Sequence, residues 1–322
     1  MIQQDDRYRD LEGSRAAMIR AARRAAEVAR QHQQPLILWR DGRIVEVMPD
    51  DLPPLPEQAP RKTEADIDPQ ADRQSACDRA QELAWDAMEA SDEEQMARLC
   101  RQALAIYPNC VDALSMLAEV ECERVRDYVA AMRRAVEAGR RDLGPEVFEQ
   151  EKGHFWLAIE TRPFMRAMAG LADALLQWGQ PEHVDEAIAI YEEMLELNPN
   201  DNQGIRYLLP GCYLQRKRYR EAAILLDEHG DEGMAALAWA RVLLAYAVGN
   251  EDEASDLLKE AREQNPYVEL YLTGRKRRPR TRTDYYSPGD DTEALVCADA
   301  LWEAWKKHPK AKRWLKEQCE AQ

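Results

Sequence analysis

Arg162 and Arg166 flank Pro163 at helical spacing, so their guanidinium groups share a face once a helix has begun. Two such groups side by side repel unless a carboxylate or a ligand lies between them. In an acidic chain the ordinary solution is an intramolecular carboxylate; the sharper one is capture of a partner's acid. Asn200-Asp201-Asn202-Gln203 follow Pro199 and precede an apolar stretch. Four amide or carboxylate side chains there could ligate a metal, hold a partner's backbone, or cap the next helix, the last worth about 1 kcal/mol. One turn on, Arg206 and Tyr207 could hold a carboxylate or an amide. Arg275-Lys276-Arg277-Arg278-Pro279-Arg280-Thr281-Arg282 carries six cations and no acid, and Tyr285 and Tyr286 follow. That run could meet nucleic acid, an acidic partner, or the acidic surface of its own chain. Arg162, Arg166, Gln203, Arg206, Tyr207, Arg275, Lys276, Arg277 and Arg278 are therefore the candidate partner-binding residues.

Catalytic patterns do not accompany these groups. The five histidines (32, 154, 183, 229 and 308) form no HExxH motif and no close pair, which argues against zinc. There is no GxSxG, and the 14 glycines are dispersed rather than gathered in a phosphate loop. The expectation is no catalytic residues, no metal and no cofactor. An enzyme with an unrecognised site would need a buried cluster of acids and histidine.

The 322 residues include 44 Lys and Arg against 60 Asp and Glu, a net charge of −16. Such a balance opposes wholesale coating of nucleic acid or anionic membrane, though not a local basic patch. The longest mostly apolar run, Met234–Val248, is interrupted by Arg241 and falls short of the roughly 20 residues a membrane span needs. With a polar N-terminal stretch and seven scattered cysteines lacking a CxxC pair, a cytoplasmic protein with reduced thiols and no membrane partner is expected.

Three regions position these residues. In residues 1–49, an apolar stripe (Met18, Ala21, Ala22, Ala25, Val28, Ala29) predicts a helix over Arg15–Gln33, ended by Pro35. Asp41-Gly42 between Leu36–Arg40 and Arg43–Met48 predicts a β-hairpin with Trp39 facing Ile44, Leu38 facing Val45 and Leu36 facing Val47. Its apolar face needs cover from a helix, the rest of the chain or a second subunit; the helix before it is the nearest candidate, and a homodimer through this hairpin is another expectation. Residues 50–70 hold five prolines and read as a linker.

Residues 71–322 are helical by pattern, and they repeat. Leu83, Cys100, Ala103 and Pro108 recur in kind as Leu114, Leu117, Ala118, Ala131, Ala135 and Ala138, then Leu171, Ala187, Tyr191 and Pro199. Tyr213, Ala222 and Leu226 follow, then Ala254, Leu258, Ala261 and Pro266. Alanine in each second helix admits close approach of the first, and proline closes the unit, at the roughly 34-residue period of a tetratricopeptide repeat. The competing expectation is an irregular helical bundle. Trp302, Trp305 and Trp314 suit a terminal amphipathic helix covering the open end of the stack, with a partner-binding aromatic patch as the alternative.

Three blocks resemble a known family: Glu160-Thr-Arg-Pro-Phe-Met-Arg-Ala-Met-Ala-Gly-Leu-Ala172, Tyr191-Glu-Glu-Met-Leu-Glu-Leu-Asn-Pro-Asn-Asp-Asn-Gln-Gly-Ile-Arg-Tyr207 and Tyr271-Leu-Thr-Gly-Arg-Lys-Arg-Arg-Pro279. So does the following Tyr285-Tyr-Ser-Pro-Gly-Asp290. These resemble the suppressor-of-tumorigenicity-7 family of tetratricopeptide-repeat-like proteins over about residues 95–316. The resemblance implies a helical repeat fold and no established catalysis. The membrane spans of its animal members have no counterpart here, so their location does not carry over.

The sequence thus points to a mostly α protein, a tetratricopeptide-like helical-hairpin solenoid with a small N-terminal helix and β-hairpin. Its expected function is a non-enzymatic interaction module, a scaffold or adaptor holding a protein or peptide in its groove. The alternative is a regulatory or toxin–antitoxin-like component contacting nucleic acid through its basic segments.

Overall fold

The computed structural model describes residues 25–26, 29–30, 34–40, 43–52, 69–229, 233–279 and 286–320. The chain divides into two compact units, Met1–Asp68 and Pro69–Gln322.

In the first unit, residues 25, 26, 29 and 30 are helical, with Ala26 and Ala29 buried. The rest of the expected 15–33 helix lies outside the described residues. Strands β1 (Leu36–Arg40) and β2 (Arg43–Val47) pair antiparallel in the register that a two-residue turn dictates: Leu36 with Val47, Leu38 with Val45, Trp39 with Ile44. The turn residues Asp41 and Gly42 are themselves outside the described set. Arg30 Nε donates to Asp50 Oδ1 at 3.1 Å, in the short turn that follows β2. Residues 53–68 of the expected linker are also outside the described set.

The second unit is a run of antiparallel helix pairs. Helices α1 (Pro69–Met88) and α2 (Glu93–Ile106) form the first pair, α3 (Val111–Glu121) and α4 (Val125–Gln150) the second, and α5 (Arg162–Trp178) and α6 (Pro181–Leu197) the third. Helices α7 (Ile205–Gln215) and α8 (Tyr219–Glu228) form the fourth, and α9 (Ala235–Ala247) and α10 (Glu251–Gln264) the fifth. Local chemistry sets their ends. Asp92 caps α2 by accepting from the Gln95 amide at 2.7 Å, Pro181 opens α6, and Gly179 closes α5 in the left-handed region (φ 72°). The alanines that marked the repeats are the closest-packed residues: Ala103, Ala135, Ala187, Ala222 and Ala254 have no exposed surface. Each sits where a larger side chain would force its partner helix away.

Three features break the regular pattern. Gly144 (φ 69°, ψ 166°) with Pro145 kinks α4, and residues 151–161 then fold over Phe148, Phe155 and Phe164. That insertion stands where the second repeat lacks its closing proline. Helix α11 (Val268–Thr273) ends after six residues at Gly274 (φ 80°). Helix α12 (Asp291–Lys307) then lies against α7 and α9, the first helices of the fourth and fifth pairs, and α13 (Pro309–Glu320) packs on α11 and α12.

This arrangement corrects the expectation of one terminal helix over the open end of the stack. Trp302 and Trp305 belong to α12, which runs along the face of the first helices, with Trp305 fully buried. Trp314 belongs to α13 and packs against Tyr246, ring centroids 5.0 Å apart. The physical reason is Gly211 on α7. A Cβ there would stand 2.2 Å from the Ala300 carbonyl oxygen, so only glycine lets the α7 and α12 backbones approach this closely.

Candidate binding cleft beside helix α12

The sequence blocks 160–172 and 191–207 and residues 286–290 each take part in a polar knot. Arg166, on α5, forks onto Asp112 on α3, with Nε to Oδ1 at 3.1 Å and Nη2 to Oδ2 at 2.6 Å. Gln81 Nε2, on α1, adds a third bond to Oδ2 at 2.7 Å. Asp112 is 3% exposed, so this pair fastens three successive first helices together. Arg162 donates from Nε to the Trp156 carbonyl at 2.8 Å and lies over that indole at 5.7 Å. The two arginines are therefore not paired on one acid: one meets a carboxylate, the other a backbone carbonyl.

Asp201 adopts φ 48° and caps α7, accepting from the Ile205 and Arg206 amides, each at 2.8 Å. Arg206 returns Nε to Asp201 Oδ2 at 3.0 Å and Nη2 to the Asn200 carbonyl at 2.9 Å. Asn198 and Asn200 both donate to Asn202 Oδ1 at 3.3 Å. The amide-rich stretch is thus a helix start held by its own side chains. Gln203 donates from Nε2 to the Met165 carbonyl at 3.3 Å, while its Oε1 is buried without a hydrogen-bond partner among the described residues.

A third knot seats α12. Asp290 caps that helix, accepting from the Thr292 and Glu293 amides at 2.7 and 3.2 Å. The Glu293 carboxylate, 2% exposed, accepts from the Ala235 and Gly289 amides at 3.1 and 2.7 Å and from Asn265 Nδ2 at 3.0 Å. One acid thereby ties the start of α9, the turn after α10 and the 286–290 loop together.

Two cavities follow from this placement of α12. The first, about 410 Å³, opens among Gln203, Tyr207, Leu208, Met234, Tyr286 and Val296. The second, about 310 Å³, opens among Asp173, Leu176, Gln177, Leu208, Val296 and Glu303. Leu208, Val296 and Ala300 line both, so the two form one cleft along a flank of α12. Its floor is apolar, and Val296 is 37% exposed there. Its charged groups are all acids: Asp201 and Glu293 at one end, Asp173, Asp299 and Glu303 at the other. Gln203 and Tyr207 reach this cleft; Arg162, Arg166 and Arg206 do not line it.

The basic run is divided among several partners. Arg275 Nη1 donates to the Cys319 carbonyl at 3.2 Å, and Lys276 pairs with Asp291. Arg278 Nη1 meets Asp299 Oδ1 at 2.7 Å. Arg277 is exposed. Residues 280–285, with Arg280, Arg282 and Tyr285, lie outside the described set. Tyr286 places its hydroxyl 3.8 Å from Met234 Sδ.

Val296, Leu208 and the flank of α12 were not legible as a site, because nothing in the spacing of residues 291–307 says which helices they rest on. Among the described residues, no group of three or more His, Cys, Asp or Glu could hold a metal ion, and no helix is long and apolar enough to cross a membrane. Four of the thiols are held neutral by burial. Burial pushes Cys77 and Cys100 up to about 11, and Cys110 and Cys212 up to about 12.

Residues 180–244, from the start of α6 into α9, match the tetratricopeptide repeat family. No curated protein sequence matches the chain. Among solved structures, YrrB, described as a TPR protein with an unusual peptide-binding site, is 17% identical with a TM-score of 0.43, over 60% of this chain and 87% of that one. A thermophilic TPR protein of Thermus thermophilus is 17% identical with a TM-score of 0.32, over 71% and 98%. The pilF protein of Pseudomonas aeruginosa is 20% identical with a TM-score of 0.30, over 59% and 92%. The family match covers the stretch from α6 into α9, and antiparallel helix pairs with buried alanines continue on either side of it.

Proposed function

We propose that the chain is a non-enzymatic interaction module that holds a partner's peptide segment in the cleft beside α12. The observation that carries this reading is the apolar strip of Leu208, Val296 and Ala300, shared by two cavities and bordered by acids. An occupant that suits it presents apolar side chains to the strip and basic side chains to Asp173 and Glu303. Gln203 Oε1, buried and lacking a partner among the described residues, offers an acceptor to a donor on the occupant. A cytoplasmic location and the finer likeness to the suppressor-of-tumorigenicity-7 family belong to the same proposal. The likeness rests on blocks 160–172, 191–207 and 271–279, the first two of which take part in polar knots. Arg162, Arg166 and Arg206 then act by building the scaffold rather than by touching the partner. The basic run is the exception and is taken up below.

Peptide display against the full-length chain tests the reading. It should enrich segments with apolar anchors three or four residues apart and basic flanks. Val296→Glu should weaken the enriched peptides at least about tenfold, since it places a charge against the apolar anchor. Ile224→Glu, at an exposed position on α8, should leave them unchanged. Enriched peptides indifferent to Val296→Glu would overturn the cleft assignment.

A further inference from the structure

A second basic run lies in the last two helices. Lys306 through Lys316 contains six cations (Lys306, Lys307, Lys310, Lys312, Arg313 and Lys316) and no acid, in a chain whose net charge is −16. Folding joins this run to the basic loop. Arg278 from the loop and Lys312 from α13 both lie over the indole of Trp302, at 4.1 and 4.3 Å from its centroid.

Nearby acids are few. Arg278 takes Asp299, and Lys306 takes Glu303 at 3.1 Å. Lys312 is half-buried, and among the described residues it has no carboxylate partner. Burial first, and then Lys316, Arg278 and Lys306 around it, push its ammonium below the ordinary lysine value. Lys307, Lys310, Arg313, Lys316 and Arg277 are exposed and likewise without an acid partner among the described residues. Elsewhere in the unit, arginines reach carboxylates on neighbouring elements, as in Arg133–Glu186, Arg140–Glu193 and Arg216–Asp185. At this end the cations face one another instead.

We propose that the patch formed by Arg277, Arg278, Lys312 and Lys316 around Trp302 is a docking surface for an acidic peptide segment of a partner protein. Charge complementarity selects the class of occupant: a short run of Asp and Glu supplies the carboxylates that Arg277, Lys312 and Lys316 lack among the described residues. The geometry favours a peptide over nucleic acid on two counts. Two cations already lie over the Trp302 indole, so a base would have to compete with them to stack there. A long phosphate backbone would also extend beyond the patch onto a surface that is net acidic, whereas a segment of several residues would not. The patch adjoins the cleft beside α12, whose Asp299 and Glu303 pair with Arg278 and Lys306.

The test uses the full-length chain and a fluorescein-labelled peptide of eight alternating Asp and Glu residues, read by fluorescence anisotropy across a salt series. Binding is expected at 50 mM salt. It should weaken about tenfold or more by 200 mM, as an exposed charged contact must when the screening length shortens. Lys312→Glu/Lys316→Glu should abolish it. Lys312→Gln, the milder variant, should weaken it severalfold with an unchanged thermal melt. Lys259→Glu, on α10, should have no effect. Failure of the wild-type chain to bind, or equal binding by Lys312→Glu/Lys316→Glu, would overturn the proposal. So would tighter binding of a labelled single-stranded oligonucleotide that the same double variant abolishes, since that would make the patch a nucleic-acid site.

Discussion

Gly211→Ala and Gly170→Ala make the same chemical change in two helix interiors, and the packing around them predicts opposite signs. In an exposed helix, replacing glycine by alanine stabilises by about 1 kcal/mol, because glycine loses more backbone freedom on folding. At Gly170 on α5, the added Cβ would lie 2.8 Å from Met132 Cε, the far end of an unbranched, mobile side chain. That methyl can move aside, so Gly170→Ala should be neutral or stabilising by up to about 1 kcal/mol. At Gly211 the obstacle is backbone: the Ala300 oxygen at 2.2 Å and its carbonyl carbon at 3.2 Å. Neither can rotate away. Relief requires α7 and α12 to separate by about 1 Å, which loosens the contacts of fully buried Leu301 and Ala298. Overpacking of this kind costs roughly 1–3 kcal/mol, and the helix gain offsets about 1 kcal/mol of it. The net is a loss of about 1–2 kcal/mol, several degrees in Tm for a chain of this size. Urea titrations followed by tryptophan fluorescence would measure both variants, with Trp305 on α12 as a local reporter. A Gly211→Ala chain as stable as Gly170→Ala would refute the close backbone contact, and with it the seat of α12 against α7.

Two further outcomes follow from the same packing. Arg166→Met should destabilise by about 1–3 kcal/mol, less than a fully buried pair because Arg166 is 39% exposed. The double variant with Asp112→Asn should cost less than the sum of the singles, and strict additivity in urea melts would show that the two do not couple. The thiols set an alkaline limit. Their folded values stand above the ordinary 9.0, at about 11 for Cys77 and Cys100 and about 12 for Cys110 and Cys212. Above pH 9 the unfolded chain binds fewer protons than the folded one, so their contribution is intact below that point and falls as pH rises from about 9 toward 12. Urea midpoints should be level between pH 7 and 8 and drop beyond pH 9, and a midpoint that climbs there would contradict the burial of these thiols.

What could be read from the sequence was whatever is written in local spacing. Ala187, Ala222 and Ala254 announced second helices because a small residue at a fixed interval serves one purpose in a stacked pair. Asp41-Gly42 set a register because the side-chain period of a strand is two. The path of α12 was not written that way. Its apolar residues declare a buried helix, but the choice of α7 and α9 as its bed rests on one glycine 89 residues before Ala300. Helix-interior glycine has many causes. The cation cluster around Trp302 shows the opposite failure. The run Lys306–Lys316 is as plain in the sequence as Arg275–Arg282, yet its meaning depends on the two meeting across one indole.

In an ordinary stack each helix pair touches only its neighbours, so pairs can be added or removed at either end with little effect further along. The return of α12 onto α7 ends that freedom at one end of this chain. Trimming the last two helices would strip cover from the first helices of both the fourth and the fifth pair, and duplicating the fifth pair would leave α12 with the wrong bed. Helix α11, stopped at Gly274 after six residues, offers no full helix on which a sixth pair could stack. Folding is affected as well. The pairs can form from contacts close in sequence, but α12 must wait for α7 and α9, which makes it a late arrival joined by a long loop closure. At this end, α12 and the short α11 leave no place for a further pair.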